Sequence, residues 1–216
     1  MNQLFNNFDA IYVINLDSRP DRMNDFKKGL ISIGISDYEI DKKIIRFSGI
    51  VPDNGPSALG CTLSHLEIVK NAKAAGYEKI LVFEDDAIPY LNGVNQIDLV
   101  IKDIKNEDWD IYYLGYNSHH PLERYCKNSL KAKDLFSTHA IIYRSSFFDK
   151  FINDYENGLI EIFDVWLRYN VQTTMKCLAS YPMLFIQSTS YSDIEKKNVN
   201  YDIQIERYQK YTSHLS

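Results

Sequence analysis

Short apolar runs punctuate this chain, and most of them end abruptly on polar residues. Ala10 to Leu16 (AIYVINL), Ile44 to Phe47, Lys79 to Phe83 (KILVF) and Asp110 to Leu114 are rich in β-branched and aromatic side chains. They are too short for helices, which predicts buried strands. Between them apolar residues recur at helical spacing. One helix is predicted from Pro20, a residue suited to a first turn, to about Gly34, with Asp17 or Ser18 as its cap. A second is predicted from Cys61 to Ala75, on Leu63, Leu66, Val69 and Ala72, with Gly76 ending it. A third lies near Val94 to Lys105. After Gly115 the alternation fails until Ala140 to Tyr143, another strand. Ser145 opens a helix through Tyr155, Glu161 to Tyr169 reads as helical, and Leu184 to Ile186 is a last strand before a polar tail.

Alternation of strand and helix predicts an α/β fold, with a mainly parallel central sheet and helices on both faces. At 216 residues, one domain spanning positions 1–216 is expected. Ligands of such sheets gather at the carboxyl ends of the strands. Asn15 to Asp17, Ser48-Gly49, Glu84 to Asp86 and Gly115 to Asn117 follow different strands, so all are expected to face one crevice.

Charge narrows the partners. A net charge of −5 argues against a nucleic-acid platform, which needs clustered Lys and Arg to displace counterions. Cys61, Cys126 and Cys177 have no metal-ligand spacing and suit a reducing compartment. The first residues lack the basic start and apolar stretch of a signal peptide, and no apolar run approaches the roughly 20 residues of a transmembrane segment. A cytoplasmic location is therefore expected, bacterial or in a virus-infected host cell given the many Ile, Asn, Lys and Tyr residues.

Glu84-Asp85-Asp86, at the exit of KILVF, is the sharpest chemical feature. Three adjacent carboxylates at the edge of a buried strand repel one another unless a cation joins them. Mg²⁺ or Mn²⁺, shared between carboxylates and substrate phosphates, meets that need. A helix cap or solvated acidic turn is the alternative. Arg19 and Arg22 share a helix face and suit phosphate oxygens, or else pair with Asp17, Asp21 or Asp25. Ser64 and His65 stand near the predicted start of the second long helix, where free N–H groups favour anions. Packing is the alternative for the histidine.

Taken in order, three motifs resemble glycosyltransferase family 25: Val13-Ile14-Asn15-Leu16-Asp17 with Arg19-Pro20-Asp21-Arg22, Gly60-Cys61 with Ser64-His65, and Leu81-Val82-Phe83-Glu84-Asp85-Asp86. The likeness continues more weakly through Trp109 to Gly115, Thr138 to Ile142, Phe163 to Leu167, Pro182 to Gln187 and Ser192-Asp193-Ile194. The resemblance implies a GT-A type, single Rossmann-like domain that moves a hexose, galactose or glucose, from a UDP-sugar donor to a glycan or protein acceptor with inversion. On that basis Glu84 and Asp86 belong to a DxD-type metal motif for Mn²⁺ or Mg²⁺, with His139 as a further ligand or a diphosphate contact. Asn15, Leu16, Arg19 and Arg22 border the nucleotide, joined on the donor side by Ser64, His65 and Asp85. Asp164 is the candidate catalytic base; the alternative is an N-cap. Tyr112, Tyr113 and Tyr116 could form an acceptor platform, with at least one turned into the core. Ile141-Ile142 departs from the aromatic expected after Ala140. Two rivals stand beside this reading. A nucleotidyltransferase should carry a Gly-rich phosphate loop with a Lys, which is missing here. The other is a non-catalytic sugar-nucleotide or glycan-binding domain.

Overall fold

The computed structural model describes residues 2–192, 197–199 and 202–215. Asp193 and Ile194 of the family-like ending lie outside the described residues. In chain order the strands among the described residues are β1 (Ala10–Asn15), β2 (Ile44–Ser48), β3 (Lys79–Glu84), β4 (Ala87–Pro89), β5 (Ile111–Tyr113), β6 (Asn117–Ser118), β7 (Arg124–Cys126), β8 (Ser129–Lys131), β9 (Leu135–Phe136), β10 (Ala140–Arg144), β11 (Cys177–Ser180), β12 (Phe185–Gln187), β13 (Ser190–Ser192) and β14 (Lys197–Val199). The helices are α1 (Asn2–Phe5), α2 (Pro20–Ser32), α3 (Asp37–Lys43), α4 (Ser57–Ala74), α5 (Leu91–Val94), α6 (Ile97–Asn106), α7 (Ser145–Glu156), α8 (Phe163–Trp166) and α9 (Asp202–Thr212).

The main sheet has eight strands in the order β2-β1-β3-β10-β5-β11-β8-β7. β1 pairs in parallel with both β2 and β3, and β5 pairs in parallel with β11. β10 is antiparallel to both of its neighbours, β3 and β5. β8 is likewise antiparallel to its neighbours β11 and β7, so the strands run mainly in one direction, with β10 and β8 the other way. Along β3 the side chains alternate cleanly. Ile80 and Val82 join one core with α4 and α7, while Leu81 and Phe83 join a second core with α2 and α6. Helices therefore cover both faces. All four of those side chains are fully buried, each contributing about 1.5–3 kcal/mol over exposure. β3 is anchored on both sides, and this rigid strand carries the acidic run.

Several local details differ from the sequence reading. α2 starts with Arg19 as its N-cap residue and has no side-chain cap; Asp17 instead accepts hydrogen bonds from Arg46 (2.6 Å) and Ser48 (2.8 Å). α3 is an extra helix, opened by a capping box between Ser36 and Glu39. α4 begins at Ser57, so Cys61 to His65 lie inside the helix and the N-terminal anion argument for Ser64 and His65 lapses. Phe185–Gln187 leaves the main sheet to pair with β4, and the unforeseen β11 takes a place beside β5. The polar tail carries α9, from which Gln204 accepts the backbone N–H of Gln187 at 2.9 Å.

Candidate active site

Parallel pairing aligns the carboxyl ends of β1, β2 and β3, because Asn15 registers with Ser48 and Ile14 with Glu84. β10 runs the opposite way, so its amino end meets the same edge: Ala140 registers with Phe83, and Glu84 N–H donates to His139 O at 2.9 Å. A cavity of about 390 Å³ opens there, a size ordinary for a small-molecule site. Ile14, Leu16, Ile50, Val51 and Pro52 supply apolar wall, and Arg22, Glu84, Asp85, Asp86 and Gln187 supply polar groups. Ser64 lines it too; its Oγ donates to Gly60 O (2.7 Å) and accepts from Ile50 N–H (2.9 Å), pinning the loop before α4.

The three acids have different surroundings. Asp85 accepts from Asn15 Nδ2 at 2.7 Å and from Arg22 Nη1 at 2.9 Å. Asn15 is itself held by Arg46 Nε at 2.9 Å, a contact between strands that the sequence reading missed. Burial still leaves Asp85 raised, with Asn15 and Arg22 opposing. Glu84 Oε1 accepts from Thr138 Oγ1 at 2.6 Å and faces His65 Nε2 at 3.5 Å and Cys61 Sγ at 3.9 Å. Burial pushes Glu84 up, but the His65 contact, the Thr138 hydroxyl and His139 outweigh it, and the net shift is downward. Asp86 is pushed up to about 7, by burial first and then by the charge of Glu84. Its Oδ2 accepts from Gln187 Nε2 at 3.2 Å, while its buried Oδ1 has no partner among the described residues.

That orphaned carboxylate oxygen tests whether a cation fits. A buried, unpartnered acid oxygen beside two further carboxylates is an uncompensated site of negative charge, and a hard divalent ion would satisfy it. The donors present are carboxylate oxygens facing a cavity, so Mn²⁺ or Mg²⁺ fits. Cys61, His65 and Glu84 also bring ligand atoms within 4.8 Å of one another, though here they hydrogen-bond around Glu84.

The remaining candidates distribute as follows. Leu16, Arg22 and Asp85 line the cavity, and Asn15 stands behind Asp85. Arg19 turns to Asp21, in an ion pair of 2.9 Å, and is not part of the lining. His65 is fully buried, its Nδ1 3.0 Å from Tyr143 Oη, a contact that steadies the ring behind Glu84. His139 is also fully buried, with Nε2 3.3 Å from Phe185 O, and burial pushes it down to about 4. It is a neutral ring set in the wall beneath the site. Asp164 lies in the first turn of α8, whose N-cap residue is Ile162, so it is not the N-cap itself, although its carboxylate faces the first-turn Val165 N–H. Burial raises Asp164, opposed by the Val165 backbone N–H and reinforced by the charge of Glu84, with the Ser137 N–H a smaller opposing group. Tyr112, Tyr113 and Tyr116 are all buried, at 0%, 1% and 1% exposure, which removes the acceptor platform. Their hydroxyls bond internally, to Ser129, Gln172 and Ser180.

The loop leading into β10 was unforeseen. Asp134 and Ser137 adopt left-handed backbone, with φ of 64° and 73°, at a cost of roughly 1–2 kcal/mol each. Gly115 faces the end of this loop: a Cβ there would sit 2.1 Å from His139 Nε2 and 2.5 Å from Phe185 O. Gly115→Ala should therefore cost about 1–3 kcal/mol, read as a lower urea midpoint, since neither a packed ring nor a backbone oxygen can yield freely. An unchanged midpoint would mean that the contact relaxes without penalty.

The profile of the family described as Glycosyltransferase family 25 (LPS biosynthesis protein) matches residues 55–174. The matched span holds the acidic run and Asp164 but begins after Asn15 and Arg22. Inactive glycosyltransferase 25 family member 3 of Homo sapiens is 30% identical over 135 residues, covering 53% of this chain and 23% of that protein. The Bos taurus protein named probable inactive glycosyltransferase 25 family member 3 is 28% identical over 137 residues, covering 54% and 23%. The matched stretch is thus under a quarter of each relative's length. In three dimensions the chain is similar to a glycosyltransferase involved in the glycosylation of the major capsid of PBCV-1, with a TM-score of 0.55 at 10% identity, covering 94% of this chain and 98% of that one. That likeness is one of fold, and it agrees with the GT-A type, Rossmann-like architecture. With a family profile spanning more than half of its residues, the acidic run included, this chain belongs to glycosyltransferase family 25.

Proposed function

We propose that the chain transfers a hexose, galactose or glucose, from a UDP-sugar to an acceptor hydroxyl on a glycan or protein, with inversion and with Mn²⁺ or Mg²⁺. The observation that carries this reading is Asp86, a buried carboxylate with an unpartnered oxygen at the edge of the cavity. Asp86, with Glu84, would hold the cation, which when bound supplies charge neutralisation for the departing diphosphate. Arg22, fixed by Asp85, adds a positive group to the same wall. The apolar stretch from Ile50 to Pro52 and the Leu16 side chain offer surface for the nucleoside.

Inversion requires a base on the side of the sugar away from the leaving group. Asp164 suits that task because burial raises its basicity, and the backbone N–H groups of Val165 and Ser137 face its carboxylate. It would take the proton from the acceptor hydroxyl as that oxygen attacks the anomeric carbon and UDP departs.

Metal should show itself in stability as well as in turnover. The folded-state pKa of Asp86 lies above its unfolded value of 3.8, at about 7. Between those values the folded, metal-free protein holds a proton that the unfolded chain has lost, so its stability falls as pH rises through this window. Asp85 and Asp164 are raised as well and act in the same sense. Glu84 is lowered, and its opposite contribution is lost only on acidification below its unfolded 4.5. His139, held down to about 4 by burial, pulls the other way until its unfolded 6.5, so Tm of the metal-free protein should decline as pH rises from about 6.5 through about 7, and Mn²⁺ should restore it most at the alkaline end. A metal-free Tm that climbs steadily over that range would count against this picture of Asp86.

A second reading is a domain of the same fold that binds sugar nucleotide or glycan without turnover, favoured by the word inactive in the names of relatives matched over this stretch. Calorimetric titration of UDP with and without Mn²⁺, followed by a screen of UDP-galactose and UDP-glucose hydrolysis, separates the two. Metal-dependent UDP binding with sugar release supports the transferase. Binding without release of any sugar supports the second reading, and no metal-dependent UDP binding removes the first.

A further inference from the structure

A chain of hydrogen bonds in which each group donates to the next runs from Asn117 to Asp86. Asn117 Nδ2 donates to Ser137 Oγ at 2.9 Å, and Ser137 Oγ donates to Gln187 Oε1 at 3.2 Å. Gln187 Nε2 in turn donates to Asp86 Oδ2 at 3.2 Å. From the same Ser137, the backbone N–H faces the Asp164 carboxylate. One residue thus reaches toward the acid proposed to hold the cation and toward the acid proposed as base.

Ser137 manages this only because its backbone is left-handed, at φ 73°. In that conformation the backbone N–H is set against Asp164 while the hydroxyl donates to Gln187. A non-glycine residue in this conformation is strained, and such strain persists where the surroundings hold it. Here four hydrogen-bonding groups, from Asn117, Gln187, Asp164 and Ser137 itself, do the holding. On the other side Gln187 is fixed through its backbone by Gln204 of α9, which ties the far end of the chain to the site.

We propose that Ser137 and Gln187 are positioning residues that hold the cation-binding face of Asp86 and the carboxylate of Asp164 in fixed register across the cavity. The bridge rests on the transferase reading for its consequence, and its Asp86 side stands on three hydrogen bonds. Relaxing either link frees one acid to turn, and a misplacement of about 1 Å at a reacting group can cost on the order of 100-fold in rate.

The test is a double-mutant cycle on the full chain with Ser137→Ala, Gln187→Ala and their combination. Mn²⁺ affinity is followed by calorimetry, and kcat and KM for UDP-sugar hydrolysis by UDP release. Gln187→Ala should weaken Mn²⁺ by about tenfold and Ser137→Ala by a smaller factor, with little further loss in the double variant, because both act through one chain. Ser137→Ala should also lower kcat by about tenfold with KM for donor near its native value, a split that a loss of folded protein alone would not produce. Ser137→Gly is the folding control: glycine accepts the left-handed backbone, so it folds at least as well yet loses the hydroxyl and with it Mn²⁺ affinity. Additive effects of the two single variants on Mn²⁺ binding, or unchanged Mn²⁺ affinity in both Ser137→Gly and Gln187→Ala, would overturn the bridge. If instead the native chain binds Mn²⁺ but releases no sugar, the transferase reading fails while the affinity cycle still decides the bridge.

Discussion

Asp86→Asn should abolish the metal-dependent part of UDP binding and lower sugar transfer by about 1,000-fold, while the protein remains folded. The direction follows from the unpartnered Oδ1. An amide keeps the shape and can still accept from Gln187, but it brings no charge for a cation. Groups that stabilise charge developing in a transition state are worth about 100- to 1,000-fold when removed singly, and an ion's principal ligand stands at the upper end. Stability should move the other way. Burial and the charge of Glu84 push Asp86 up to about 7, so its ionised form is disfavoured in the folded, metal-free chain. The amide is neutral at every pH, and at pH 8 without metal its Tm should equal or exceed the native value. Lost activity with retained or increased stability marks a functional residue; lost activity with a collapsed Tm would mark a structural one and withdraw Asp86 from the cation.

Asp164→Asn is the second large effect, and it should separate from the first. Turnover should fall by about 100- to 10,000-fold, the usual contribution of a positioned base, with UDP and Mn²⁺ affinity largely intact. The substitution preserves volume at a half-buried residue in the first turn of α8, so the helix and the loop before β10 should stay in place. Near-native turnover with Mn²⁺ and donor present would take Asp164 out of the role. Equal losses of turnover and of UDP affinity would move it to the donor site. The two variants together separate the acid proposed to hold the cation from the acid proposed as base.

Much of the frame was legible along the chain. KILVF reads as a buried strand because four successive apolar side chains cannot all be satisfied at a surface, and β3 is indeed buried on both faces. The acids that follow it, and the aligned ends of β1 and β2, come from the rule that parallel strands deliver their carboxyl ends to one edge. The capping box that opens α3 was visible as Ser36 with Glu39 and was passed over. Arg46 gave no signal: on an exposed stretch of β2 it looks like any surface cation until the register sets it against Asn15.

What the sequence by itself determined, then, was which segments are buried, the rough order of strand and helix, and the clustering of acids at the end of β3. The tertiary structure alone decided the direction of β10, which brings the amino end of a strand, with Ser137 and Thr138, to an edge otherwise built from carboxyl ends. It also decided that Asp85 turns to Asn15 and Arg22 while Asp86 keeps an oxygen unpartnered, and that Tyr112, Tyr113 and Tyr116 all turn inward. The physical reason is that hydrophobic periodicity reports how much water each position loses, a local quantity. Strand direction and side-chain partnership depend on which distant segment supplies the missing hydrogen bond, and that is fixed only when the sheet closes.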